Sequence, residues 1–135
     1  MTEFSILPIL KQIPLFATLD EKIHDKIIKD ITMQYYPAGY QLFEEGNPAG
    51  AMYILKSGVI QIYKGNKEIA KLGKGSFFGE MALVSDLPRN ASAKVIEDAE
   101  VFILKKSDFD ALLVANDEAR KIIENIVKER YSENK

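Results

Sequence analysis

Glu80 and Arg89 stand nine positions apart in the run Phe77 to Ser92, FFGEMALVSDLPRNAS, among mostly apolar and small neighbours. A guanidinium can grip a phosphate through two parallel hydrogen bonds, whereas a carboxylate only accepts them. Gly79 lets the backbone turn sharply or approach a ligand, and Pro88 fixes the chain just before Arg89. Glu80-Met81-Ala82-Leu83 reads as the start of a short helix, whose free N–H groups favour an anion. The chemistry these residues predict is a phosphate pocket with a carboxylate beside it. Catalytic material is scarcer. There is no cysteine, and therefore no disulfide, thiolate metal site or thiol nucleophile. A metal centre inside a β-barrel needs two or three histidines and a carboxylate, but this chain has His24 alone. Read as lying off the apolar face of its helix, His24 is expected to be a solvated surface residue. The chain is read as non-catalytic, with no metal.

These side chains must be held by the rest of the 135 residues, enough for a single domain with a substantial core. A net charge of −2 argues against a nucleic-acid-binding surface. No apolar run reaches the length of a membrane span and the N-terminus lacks a signal-peptide pattern, so a soluble cytoplasmic protein is expected. Phe4 to Lys11 reads as a short amphipathic helix interrupted by Pro8 near its start, and Pro14 forces a break after it. A helix from about 20 to 30, capped by Thr18 or Asp20, carries Ile23, Ile27, Ile28 and Ile31 at helical spacing.

After Thr32 come seven short β-prone runs: Met33 to Tyr36, Gln41 to Phe43, Ala51 to Lys56, Val59 to Tyr63, Glu68 to Leu72, Ala93 to Glu97 and Glu100 to Leu104. Gly65-Asn66 marks a hairpin, and Pro37-Ala38-Gly39, Ser57-Gly58 and Gly73-Lys74-Gly75 mark corners. Such a pattern predicts a mainly β, antiparallel sandwich or barrel. Residues 76 to 92 interrupt the strand rhythm, as functional connections in all-β domains do. Ser107 is expected to cap Asp108 to Val114, and Asn116 a last helix from Asp117 to about Tyr131 with Ala119, Ile122, Ile123, Ile126 and Val127 on its apolar face.

Phe78-Gly79-Glu80-Met81-Ala82-Leu83, followed after four residues by Pro88-Arg89-Asn90-Ala91-Ser92, resembles the phosphate-binding cassette of the cyclic nucleotide-binding domain family. This is the module of catabolite activator protein and of cAMP-dependent protein kinase regulatory subunits. Pro37-Ala38-Gly39, Glu44-Glu45-Gly46, Met52-Tyr53-Ile54-Leu55 and Gly58 resemble the family's turns and strand starts, and the similarity runs from about Ile13 to Val127. It implies one domain over 1–135: N-terminal helices in 1–31, an antiparallel jelly-roll barrel in 32–105 with its cassette at 78–92, and C-terminal helices in 107–131.

By the same resemblance Arg89 grips the exocyclic oxygens of a cyclic phosphate and Glu80 accepts from the ribose 2′-hydroxyl. Gly79, Met81, Ala82, Asn90 and Ala91 complete the ligand-binding set, with Ile62, Ile69, Ala70, Phe78 and Met81 around the base. Asn90 departs from the small or hydroxyl residue usual in the family. It leaves the ligand as cAMP, favoured, or cGMP. The family implies a lid from the last helix, for which Ile122, Ile123, Ile126, Arg130 and Tyr131 are candidates. It also implies a readout through movement of the C-terminal helices, directed at an effector protein or an output domain. The competing expectation is a protein-interaction module on the same fold, in which Glu80 and Arg89 pair only with each other.

Overall fold

β-branched and aromatic residues fill the middle of the chain and helix formers its two ends, and the backbone divides accordingly. The computed structural model describes residues 5–130, so Phe4 and Tyr131, and with them the side chain of Arg130, lie outside the described residues. Two N-terminal helices, α1 (Leu7–Leu10) and α2 (Glu21–Asp30), precede β1 (Thr32–Tyr36), β2 (Gln41–Phe43), β3 (Ala51–Lys64), β4 (Lys67–Leu72) and β5 (Phe77–Phe78). A single 3₁₀ turn, Glu80–Leu83, leads to β6 (Ser92–Lys105), α3 (Lys106–Val114) and α4 (Asp117–Arg130). All strand pairings are antiparallel, in the order β1-β6-β3-β4, with β2 also on β6 and β5 also on β3. The architecture is a jelly-roll-like antiparallel sheet with flanking helices; the sheet does not close into a full barrel.

Two runs expected as separate strands on each side of Ser57-Gly58 are one continuous strand, β3, and the two runs from Ala93 to Leu104 are likewise one strand, β6. The pair runs from Ala51 opposite Lys105 to Tyr63 opposite Ser92, with register shifts on both sides of Ser57 and after Val59. Ser57-Gly58 is therefore a bulge and not a corner. Positive φ at glycine serves both, and only the partner strand distinguishes them. Gly65-Asn66 does make the β3–β4 hairpin, closing with Lys64 opposite Lys67.

Apolar residues separate into two clusters. One fills the sheet with Leu55, Ile60, Phe78, Ala93, Val95, Ala99 and Val101. The other joins the helices to the sheet, packing Phe16, Ile27, Phe109, Leu112 and Ile123 with Met52, Ile54 and Leu104, and it includes Leu83 of the 3₁₀ turn. The apolar stripe of α4 is used as its spacing predicts. Ala119 and Ile123 are buried, while Ile122, Ile126 and Val127 pack half-buried against the same cluster. No helix among the described residues is long and apolar enough to cross a membrane.

Helix ends depend on their local donors and acceptors. Asp20, not Thr18, caps α2, its carboxylate accepting from the Ile23 N–H at 3.0 Å. At α3 the expected Ser107 cap is absent. β6 runs directly into the helix, and the Lys106 N–H donates to the Gly50 carbonyl at 2.8 Å instead. The Asn116 side chain turns back and donates to the Leu112 carbonyl at 2.8 Å, closing the end of α3.

His24 corrects a further expectation, since it is buried and its Nε2 lies 2.7 Å from the Phe16 carbonyl oxygen. It stands three, four and seven residues before Ile27, Ile28 and Ile31, a helical spacing that places it on the apolar stripe. A carbonyl from the preceding turn satisfies the ring, which allows it to be buried. His24→Ala is expected to destabilise the fold by about 2 kcal/mol, through a cavity and an unpaired carbonyl. Urea unfolding of the variant checks this.

Candidate functional site

β5 ends on Phe78, and the chain must then leave the sheet within one residue to begin the 3₁₀ turn. Gly79 makes that possible with φ 79° and ψ 15°, in the left-handed region. The turn carries Glu80 and Met81 outward and buries Ala82 and Leu83. On the far side of the cassette the backbone of Arg89 is pinned to the β2–β3 connection. The Gly46 N–H donates to the Arg89 carbonyl, and the Arg89 N–H to the Asn47 carbonyl, each at 2.8 Å.

Between these two anchors lies a pocket of about 310 Å³ lined by Ala49, Gly79, Glu80, Met81, Ala82, Ser85, Leu87, Pro88, Arg89 and Asn90. The structure thus brings together six of the residues expected at a ligand: Gly79, Glu80, Met81, Ala82, Arg89 and Asn90. Ala91 is buried behind them and does not line the pocket. Ala49, from the β2–β3 connection, joins the site through the two backbone bonds at Arg89, a contact across about forty residues of chain.

Of the five residues expected around a base, Met81 lines the pocket and the other four lie elsewhere. Ile62 and Ala70 face each other across the β3–β4 ladder, and Ile69 sits in the bulge between that pair and Tyr63–Glu68, half exposed. Phe78 belongs to the sheet core. None of the four lines the pocket. The isoleucines Ile122, Ile123 and Ile126 pack on the helical core, and lid candidates Arg130, by its side chain, and Tyr131 fall outside the described residues.

The electrostatics of the site centre on Arg89. It is only 8% exposed, yet no ion pair reaches it among the described residues, and Glu80 does not pair with it. Its Nη2 donates to the Ala51 carbonyl at 2.7 Å, while its Nε is buried with no hydrogen-bond partner. Burial pushes the guanidinium pKa below its ordinary value, partly offset by the Tyr53 hydroxyl nearby. A buried guanidinium lacking both a counter-charge and one hydrogen bond is costly to keep. Among the described residues, no group of three or more His, Cys, Asp or Glu is placed to hold a metal ion.

The family model of the cyclic nucleotide-binding domain matches residues 33–116, a span that includes the whole cassette. The chain is similar to the cAMP-dependent protein kinase regulatory subunit of Colletotrichum orbiculare, 41% identical over 106 residues that cover 77% of this chain and 27% of that protein. It is also similar to the cGMP-dependent protein kinase of Plasmodium berghei, 34% identical over 102 residues covering 75% of this chain and 12% of that protein. Among solved structures, the regulatory domain of Toxoplasma gondii PKA, in co-crystal with cAMP, superposes with a TM-score of 0.73 at 30% identity, covering 84% of this chain and 44% of that one. The chain spans 22% and 27% of the length of two of the curated regulatory subunits it matches.

Proposed function

The chain belongs to the cyclic nucleotide-binding domain family, and from that membership we propose that it is a non-catalytic sensor that takes cAMP into the pocket between Glu80 and Arg89. The observation that carries this reading is the buried Arg89 guanidinium, which among the described residues has no carboxylate partner and an orphaned Nε. A cassette kept only for structure would neutralise Arg89 with Glu80. Instead both charges line one pocket without touching, as a ligand bearing a phosphate at one end and a hydroxyl at the other requires. In this reading Arg89 binds the cyclic phosphate, Glu80 accepts from the ribose 2′-hydroxyl, and Gly79, Met81, Ala82, Asn90 and Ala91 belong to the cassette that closes on the ligand. The preference for cAMP over cGMP is supported by the cAMP-dependent regulatory subunits and by the cAMP co-crystal among the chain's relatives.

The route to a response starts at Leu83. It is the end of the 3₁₀ turn and is packed in the helical cluster with Phe109, Leu112 and Ile123. Any tightening of the cassette around a phosphate acts on that cluster, and α3 and α4 offer the surface that an effector protein or output domain reads. Ligand shifts this arrangement only by its difference in affinity between two helix positions.

Calorimetric titration with cAMP and cGMP tests the reading. A saturable 1:1 heat with the higher affinity for cAMP is expected, and the absence of heat with either at millimolar concentration would leave only the protein-interaction reading. Glu80→Gln is expected to weaken cAMP binding roughly 10- to 100-fold, the range for a hydrogen bond to a charged group. Its effect on 2′-deoxy-cAMP should be less than about threefold, because that ligand has no hydroxyl for Glu80 to accept from.

A further inference from the structure

Arg89 is held on more sides than an anion-binding side chain needs. Its Cζ lies 4.2 Å from the centroid of the Phe43 ring and 5.5 Å from that of Tyr53. These rings come from the end of β2 and the start of β3, outside the cassette, and they form part of one aromatic group. Phe43 stacks on Tyr53 with centroids 5.9 Å apart, and Tyr53 stacks on Phe78 at 5.1 Å. The Ala51 carbonyl takes Nη2 at 2.7 Å. On the remaining side Gly79 leaves no room to spare, because a Cβ there would stand 2.8 Å from Nη1.

The physical consequence is preorganisation. A free arginine side chain samples many rotamers, and that freedom is lost when an anion binds. Here the loss has been met during folding. The π-faces also attract the cation in a site from which water is largely excluded, where such contacts are stronger than at a surface. Burial pushes the Tyr53 hydroxyl to a higher pKa, and Arg89 draws it back.

We propose that Phe43 and Tyr53 are positioning residues for anion binding: their rings hold the Arg89 guanidinium in its binding orientation before any ligand enters. The proposal rests on the reading of Arg89 as the phosphate-binding group. The alternative is that the two rings only fill the sheet core, and experiment separates the two.

The chain would be titrated with cAMP as wild type, Phe43→Leu, which removes the ring face, and Phe43→Tyr, which keeps it. The Kd for cAMP should rise roughly 5- to 30-fold in Phe43→Leu, the range for losing one desolvated cation–π contact. It should stay within about twofold of wild type in Phe43→Tyr. Equal affinity in wild type and Phe43→Leu overturns the proposal, as does an equal loss in both variants, which a packing role predicts. A second measurement is made on the wild type and uses a variant only for assignment. The chain has three arginines, so the Arg89 Nε–H resonance can be assigned by its disappearance in Arg89→Lys. A sharp, slowly exchanging Nε–H in the ligand-free wild type is expected, and an averaged, rapidly exchanging signal overturns the clamp. A wild type that binds neither cAMP nor cGMP but keeps the sharp Nε–H signal defeats the assignment of the ligand and leaves the clamp standing.

Discussion

Arg89→Met is expected to abolish cAMP binding while leaving the ligand-free protein within about 3 °C of the wild-type melting temperature. The two halves of that result have separate causes. Affinity falls because the ligand phosphate is left in the pocket without its counter-charge, a loss of about 2–5 kcal/mol, and Arg89→Ala should lose as much. Stability changes little because opposing terms meet at this side chain. Methionine removes a buried charge whose Nε has no partner, and buried ions replaced by apolar groups of similar volume are often neutral or stabilising. Against this, the bond to Ala51 and the contact with the Phe43 ring are lost. Melting curves with and without saturating cAMP read both effects together. The wild type should gain several degrees from ligand and Arg89→Met none. A variant that still gains them would show that the anion is bound elsewhere. Arg89→Lys should recover part of the shift, since lysine supplies the charge without the planar fork.

Gly58→Ala is expected to cost about 3–5 kcal/mol of stability and to lower the melting temperature by roughly 10–15 °C. Gly58 has φ +92°, and a Cβ there would stand 2.3 Å from the Asp98 carbonyl oxygen and 2.7 Å from the Ala99 Cα. Both contacts are backbone atoms of β6. Neither can move freely, because the Asp98 carboxylate holds the Ala38 N–H at 2.8 Å and Ala99 is fully buried. Gly39 provides the control. Its φ is +94°, but nothing lies within 4 Å of an added Cβ, so Gly39→Ala should cost only about 1 kcal/mol of backbone strain. Similar losses in the two variants would mean that β6 yields at the bulge and that the contact does not set the cost.

The contrast between these two glycines marks where local pattern is informative. Positive φ is written in the residue type, so Ser57-Gly58 and Pro37-Ala38-Gly39 look alike as turn signals. The role each one takes depends on a strand roughly forty to sixty residues away. For the same reason the continuity of β3 and β6 was not legible, whereas the Gly65-Asn66 hairpin, whose two strands are adjacent in sequence, was. Helices behaved similarly. The stripe of α4 and the Asp20 cap arise from neighbours three or four residues apart. The Ser107 cap failed because Gly50, a residue of another connection, already supplies the acceptor for the first N–H of α3. His24 shows both sides of this. Its spacing to Ile27, Ile28 and Ile31 is on the chain, yet it was read as lying off the apolar face, and its burial required the Phe16 carbonyl.

By itself the sequence determined which chemistry was available: a carboxylate and a guanidinium nine positions apart, a glycine able to turn left-handed before them and a proline to set the second. Residue type and short spacing suffice for that, because donors, acceptors and backbone freedom are properties of single residues. Whether Glu80 and Arg89 neutralise each other was decided only by the tertiary structure. Packing took Arg89 away from Glu80 and against Phe43, Tyr53 and Ala51, from strands far earlier in the chain. Desolvation of a charge depends on everything that surrounds it in space, and so the unsatisfied guanidinium beside this pocket could not be read along the chain.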